Sequence, residues 1–150
     1  MRPPSRAKAR PISTRRIAPC GMDCALCIGH LRERNPCPGC NDPRDALKPP
    51  HCVRCAIKTC AVPRRPHRFC FECRGFPCAR LRRLDRRYQT RYGMGMIENL
   101  VAIRAVGVRW FTARERTRWA CPVCGRLLCI HRRACLHCGH PRPPLPTPKE

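Results

Sequence analysis

Cys121-Pro-Val-Cys124-Gly125 and Cys135-Leu-His-Cys138-Gly139 lie ten residues apart near the end of this chain. Two thiolates separated by two residues in a tight turn point at one ion. The glycine after each second cysteine relieves the turn and frees backbone N–H groups to bond the sulfurs. Four soft ligands with no open position describe a structural site, so Cys121, Cys124, Cys135 and Cys138 are expected to close a zinc ribbon. Cys129 and His131 fall between the two turns and are read as bystanders beside that site.

The same spacing recurs upstream in Cys24/Cys27, Cys37/Cys40, Cys52/Cys55 and Cys70/Cys73, with Cys20, Cys60 and Cys78 standing singly. Ten of these eleven cysteines are the candidate ligands of an N-terminal module, with Cys52, the eleventh, as an extra candidate and His30, His51 and His67 as additions. Eight thiols fill two tetrahedral sites and eleven with a histidine fill three. The expected load is therefore about three zinc ions per chain, within a range of roughly two to four. Which cysteines share an ion is left open by the spacing. Cys-x2-Cys-x4-Cys occurs three times, beginning at Cys52, Cys70 and Cys121, and the third occurrence is read as coincidence because Cys121 already has ribbon partners.

Thiolate ligation alone does not separate zinc from iron, so an iron–sulfur cluster is the alternative for the N-terminal module. Cys20-x3-Cys24-x2-Cys27 has the spacing that radical S-adenosylmethionine enzymes use. Those enzymes need a large α/β barrel, and nothing here alternates strand and helix over sufficient length. Cys78 follows Pro77 at an expected helix start, where the dipole would favour a thiolate. That placement suits a metal ligand at least as well as a nucleophile. Only nine acids are present and none are clustered, and there is no Gly-rich phosphate loop and no His-Glu-x-x-His. A non-catalytic protein is expected.

Sixteen cysteines could instead form disulfides, but Met1–Cys20 has no apolar segment to direct export, and a cytoplasmic setting keeps thiols reduced. No stretch approaches a membrane span. The apolar share of 43% includes those cysteines, and eighteen prolines interrupt much of the rest. A conventional core is expected to be thin, with metal replacing part of it. The formal charge is +23, and four Zn(Cys)4 sites at −2 each would lower it only to +15. Such a basic chain favours polyanions, at least nonspecifically.

Residues 1–16 hold six basic residues and no acid and read as a disordered basic arm. Residues 17–78 form the Cys-rich metal-binding module, in which Asp23 is placed to cap a short helix through Cys24, Cys27, Ile28 and Leu31. Residues 79–119 read as helical. Leu81, Leu84 and Tyr88 make an i, i+3, i+7 stripe after Pro77, a second helix through Ile97, Leu100 and Val101 stops at Gly107, and a third spans about Trp110–Trp119. Trp110, Phe111 and Trp119 are expected in the core, with an aromatic nucleic-acid platform as the lesser alternative. The zinc ribbon covers 120–139, and residues 140–150 form a Pro-rich tail suited to an extended polyproline conformation and to a protein partner.

Arg80, Arg83, Arg87 and Arg91 share one helical face opposite Leu81, Leu84 and Tyr88. They are the candidate nucleic-acid contacts.

The ordered motifs resemble a known family. Ile17-Ala-Pro-Cys20-Gly-Met-Asp-Cys24-Ala-Leu-Cys27 opens the likeness. Cys37-Pro-Gly-Cys40, Cys55-Ala-Ile-Lys-Thr-Cys60, Phe69-Cys70-Phe-Glu-Cys73 and Phe76-Pro-Cys78 continue it. Arg91-Tyr-Gly-Met-Gly-Met-Ile97-Glu-Asn-Leu100 and the Cys121 ribbon with His131 resemble its longer members. The chain is similar to domain-of-unknown-function family 3795, small Cys-rich proteins, and the resemblance implies metal binding and a cytoplasmic setting without naming a reaction. Cys52 and Cys129 are additions to that pattern. The chain is thus expected to be a small metal-stabilised protein of helical and irregular structure, with a zinc-knuckle N-terminal module, a short helical middle and a C-terminal ribbon. Its expected role is a nucleic-acid-associated or regulatory module. The alternatives are an iron–sulfur or thiol redox protein and a protein–protein adaptor.

Overall fold

A computed structural model of the chain describes residues 8–60 and 69–144. Residues 1–7 of the basic arm, the candidate ligand His67 and residues 145–150 of the tail fall outside that description. Proline and closely spaced cysteines leave room only for short elements in the N-terminal half. These are the single-turn helices α1 (Ile28–Leu31) and α2 (Pro50–Val53), with 3-10 turns at Thr14–Arg16, Cys24–Leu26, Asp45–Leu47 and Cys70–Glu72. Asp23 caps the second of these turns, its Oδ1 accepting from the Ala25 N–H at 3.0 Å. The expected continuous helix through Leu31 is therefore two pieces, a capped turn and then α1.

The central segment forms α3 (Ala79–Tyr92), α4 (Met96–Val106) and α5 (Val108–Arg118). The α3 stripe behaves as its spacing predicts. Leu81 is buried, Leu84 and Tyr88 are half-buried, and the arginines of α3 are exposed. Gly93 ends α3 in the left-handed region at φ 69° and Gly107 ends α4 at φ 87°, conformations that cost other residues more. Asp85 is buried and joins two helices. Its Oδ1 accepts from the Ile97 N–H at 3.0 Å near the start of α4, and its Oδ2 from Gln89 at 2.9 Å. A carboxylate at a helix N-terminus satisfies an orphan donor and complements the helix dipole.

α4 packs between α3 and α5 and touches the Cys70–Glu72 turn, while α5 packs against the Thr14–Arg16 turn. One apolar cluster runs through all these parts. It joins Ile17 and Leu26 to Leu81, Met96, Leu100, Phe111 and Trp119, and then to Leu128 and Ile130. Gly21 lies where α4 meets this N-terminal segment. Its φ is +91°, and a Cβ there would stand 2.7 Å from the Met96 carbonyl oxygen and 2.9 Å from Leu100 Cγ. Asn99 secures the same junction by donating to the Gly21 carbonyl at 2.9 Å.

Two expectations are corrected here. Residues 8–16 are packed, not a free arm: Ala9 and Ile12 are buried, and the Arg116 guanidinium donates to the Ala9 carbonyl at 2.6 Å. The Arg16 guanidinium likewise donates to the Pro38 carbonyl. Two apolar side chains and these arginine–carbonyl bonds hold the segment down despite its composition. Trp110 is not in the core. It is 63% exposed, whereas Phe111 and Trp119 are fully buried.

Candidate metal centre

The C-terminal cysteines sit on two turns of the same construction. Cys121 N–H donates to the Arg126 carbonyl at 2.7 Å and Gly125 N–H to the Cys121 carbonyl at 2.9 Å. In the second turn Cys135 N–H donates to the His140 carbonyl at 2.8 Å and Gly139 N–H to the Cys135 carbonyl at 3.0 Å. Gly125 and Gly139 have φ of 79° and 74°. No atom lies within 4 Å of a Cβ built at Gly139, so the backbone conformation is what requires glycine there. Antiparallel bridges Ala120–Leu127 and Ala134–Pro141 flank the turns.

These turns bring the four thiols together. The sulfurs of Cys121, Cys124, Cys135 and Cys138 all lie within 4.8 Å of one another. Cys121 and Cys138 are 3.6 Å apart, as are Cys124 and Cys135. A tetrahedral ion with sulfurs at about 2.3 Å has sulfur–sulfur edges of about 3.8 Å. The donor set and spacing therefore fit a tetrathiolate metal. Among the described residues, this is the one group of three or more ligating side chains drawn so close.

Backbone N–H groups aim at the sulfurs: those of Val123 and Cys124 at Cys121, that of Arg126 at Cys124 and that of His140 at Cys138. Such donors stabilise thiolate charge. Burial raises the Cys121 thiol, but the N–H groups of Cys124 and Val123, with the neighbouring thiols, outweigh it and bring it to about 7. Burial pushes Cys124 up to about 12 against the Arg126 N–H, with the thiols of Cys135, Cys121 and Cys138 adding to the rise. Four thiolates in this space repel one another, and a dication at their centre would offset that repulsion.

The N-terminal cysteines form a looser band. Cys20 feels the charge of Cys24, Cys40 and Cys70, and Cys70 that of Cys78, Cys60, Cys73 and Cys55. Burial raises Cys20 well above the ordinary thiol range, and it brings Cys24 and Cys70 up to about 12 and Cys52 to about 11. The Cys24 sulfur accepts the Cys40 N–H, which ties the first motif to the second. Cys37 and Cys27 are brought together around Gly29, whose carbonyl accepts the Cys37 N–H at 2.6 Å. Cys78 is the residue before α3 and is exposed.

His131, between the C-terminal turns, is engaged at both ring nitrogens. Nδ1 accepts from the Ile28 N–H at 3.3 Å, which leaves Nε2 to donate to the Tyr88 hydroxyl at 3.4 Å. Cys129 is buried away from the four-thiol group and is exposed to the charge of Cys27. His30 Nδ1 is 2.8 Å from the Cys37 carbonyl. Arg80, Arg83, Arg87 and Arg91 are all exposed on α3. No helix among the described residues is long and apolar enough to cross a membrane.

Comparison with known proteins matches residues 16–83 to a family model described as "protein of unknown function (DUF3795)". The match takes in the N-terminal motifs from Cys20 to Cys78 and the start of α3, and it leaves Arg91–Leu100 and the C-terminal cysteines outside. No curated protein and no solved structure is matched. The likeness to this family of unknown function is thus carried by residues 16–83, which hold eleven of the chain's sixteen cysteines.

Proposed function

We propose that the chain is a non-catalytic zinc protein, in which a C-terminal zinc ribbon and an N-terminal knuckle module are fixed by thiolate-bound metal. The observation that carries this reading is the pair of matched turns holding four sulfurs within 4.8 Å of one another. The closed set of four soft donors leaves no position for a substrate, which supports a structural role over a catalytic one. Elemental analysis of the purified chain tests it. Zinc in stoichiometric amount is expected. Iron with sulfide would move the protein to the redox alternative, and a folded chain without metal would remove the reading altogether.

A second reading concerns what the fold presents. All six arginines of α3 are exposed, and its one acid, Asp85, is turned inward and used by Gln89 and Ile97. This leaves an unneutralised cationic face on a rigid helix, which supports contact with nucleic-acid phosphates. Replacing Arg80, Arg83, Arg87 and Arg91 by alanine should lower the slope of log affinity against log salt by about 3 to 4, at roughly 0.9 per phosphate contact. An unchanged slope, or no binding near 50 mM salt (the low end of the usual range), would end this reading.

A further inference from the structure

Cys129 is 1% exposed and lies outside both the C-terminal four-thiol group and the family-matched segment. Its surroundings are those of a ligand. The N–H groups of His131 and Arg132, two and three residues on, both aim at its sulfur. Cys121 in the four-thiol group receives N–H groups from the same two relative positions, Val123 and Cys124. Cys27 receives the N–H groups of Gly29 and His30 in the same way. Paired N–H donors at these offsets offset thiolate charge in a knuckle turn, and a buried neutral thiol has little need of them.

Cys129 is brought within reach of the charge of Cys27 because their segments are clamped together. Ile130 N–H donates to the Leu26 carbonyl at 2.9 Å and Ile28 N–H to His131 Nδ1 at 3.3 Å. On the far side of Cys27 stands Cys37. A Cβ placed on Gly29 would lie 3.6 Å from both Cys27 Sγ and Cys37 Cβ. Cys52 belongs to the same neighbourhood, its foremost charge partners being Cys27 and Cys37. The spacing that seemed coincidental in Cys121-x2-Cys124-x4-Cys129 then has a use: two cysteines for the ribbon and a third for another site.

We propose that Cys27, Cys37, Cys52 and Cys129 form a second tetrathiolate site for zinc, with Cys129 supplied by the C-terminal segment of the same chain, outside residues 16–83. The four sulfurs stand further apart than those of the ribbon, and the ion draws them together. Metal at this site ties residues 120–144 to the N-terminal module, so the two halves fold as one unit. The proposal rests on the structural-zinc reading above, and its test separates the two.

The test is zinc content of the full chain in four forms: wild type, Cys129→Ser, Cys27→Ser and the double variant. Each single variant should lose one zinc equivalent, and the double variant should lose no more than either. Cys121→Ser combined with Cys129→Ser should lose two. Unchanged content in Cys129→Ser, or additive loss in the Cys27/Cys129 double variant, would overturn the second site and leave the ribbon standing. Absence of zinc from the wild type would instead remove the underlying reading. If the variants fail to fold, stepwise alkylation of the native chain under rising chelator replaces them. Cys27, Cys37, Cys52 and Cys129 should become reactive together, apart from the ribbon four, and Cys129 reacting out of step with Cys27 would overturn the proposal.

Discussion

Cys121→Ser should release one metal equivalent and abolish cooperative unfolding, an effect reaching well beyond one turn. Structural zinc in small thiolate sites contributes about 10–16 kcal/mol of apparent binding free energy near pH 7. Whole domains are stable by only about 5–15 kcal/mol. The loss would stay local if the four-cysteine turns were an appendage, but their segment is part of the core. Trp119 is 1% exposed and its carbonyl accepts the Leu128 N–H at 2.8 Å, while Leu128 and Ile130 belong to the cluster that includes Phe111 and Leu26. Serine is nearly isosteric with cysteine but a poor ligand for zinc, so packing alone would predict little change. Thermal unfolding followed by circular dichroism, with zinc analysis on the same sample, checks this. A sharp transition near the wild-type temperature together with the lost equivalent would show that the core stands without the ribbon metal.

Trp119→Ala carries the second large effect. Truncating a buried tryptophan costs about 3–5 kcal/mol. Here the side chain also serves a buried acid: its Nε1–H donates to Glu115 Oε2 at 2.7 Å, and Glu115 is fully buried. The other oxygen of Glu115 has no hydrogen bond, and Arg118 stands 3.5 Å from it. Losing the indole leaves the carboxylate short of its one close donor, at a further cost of about 1–3 kcal/mol. Trp119→Phe separates the two contributions, since phenylalanine keeps most of the apolar bulk and removes the N–H. Denaturant unfolding should place Trp119→Phe between wild type and Trp119→Ala. Equal stability of Trp119→Phe and wild type would show that the Glu115 hydrogen bond contributes nothing net.

The parts of this structure that were legible in the sequence are those fixed by short-range geometry. The Cys-x-x-Cys-Gly turns place their sulfurs through local backbone conformation, so the four C-terminal cysteines could be grouped from spacing. The α3 stripe and the Gly107 stop were legible for the same reason. α5 was only half legible. Its buried positions are Phe111, Thr112 and Glu115, with Trp119 just beyond, so its inward face is polar in the middle. The apolar run Trp110-Phe111 therefore pointed to two core residues where there is one. Asp23, Asp85 and Glu115 are buried acids that composition treats as surface, and each is held inside by a specific N–H donor. Burial and the charge of Glu115 raise Asp23 to about 7, although the Ala25 N–H opposes the rise. Grouping the N-terminal cysteines depends on contacts between distant segments, as the Leu26–Ile130 hydrogen bond illustrates, and no local pattern encodes those.

We propose that thiolate-bound zinc holds this fold together. One chelator titration of the full chain tests it most directly, with released zinc read by an indicator and folding read by far-UV dichroism on the same sample. Zinc release and loss of dichroism should coincide at every chelator concentration. Complete release of zinc while the dichroism keeps its native shape would contradict the account.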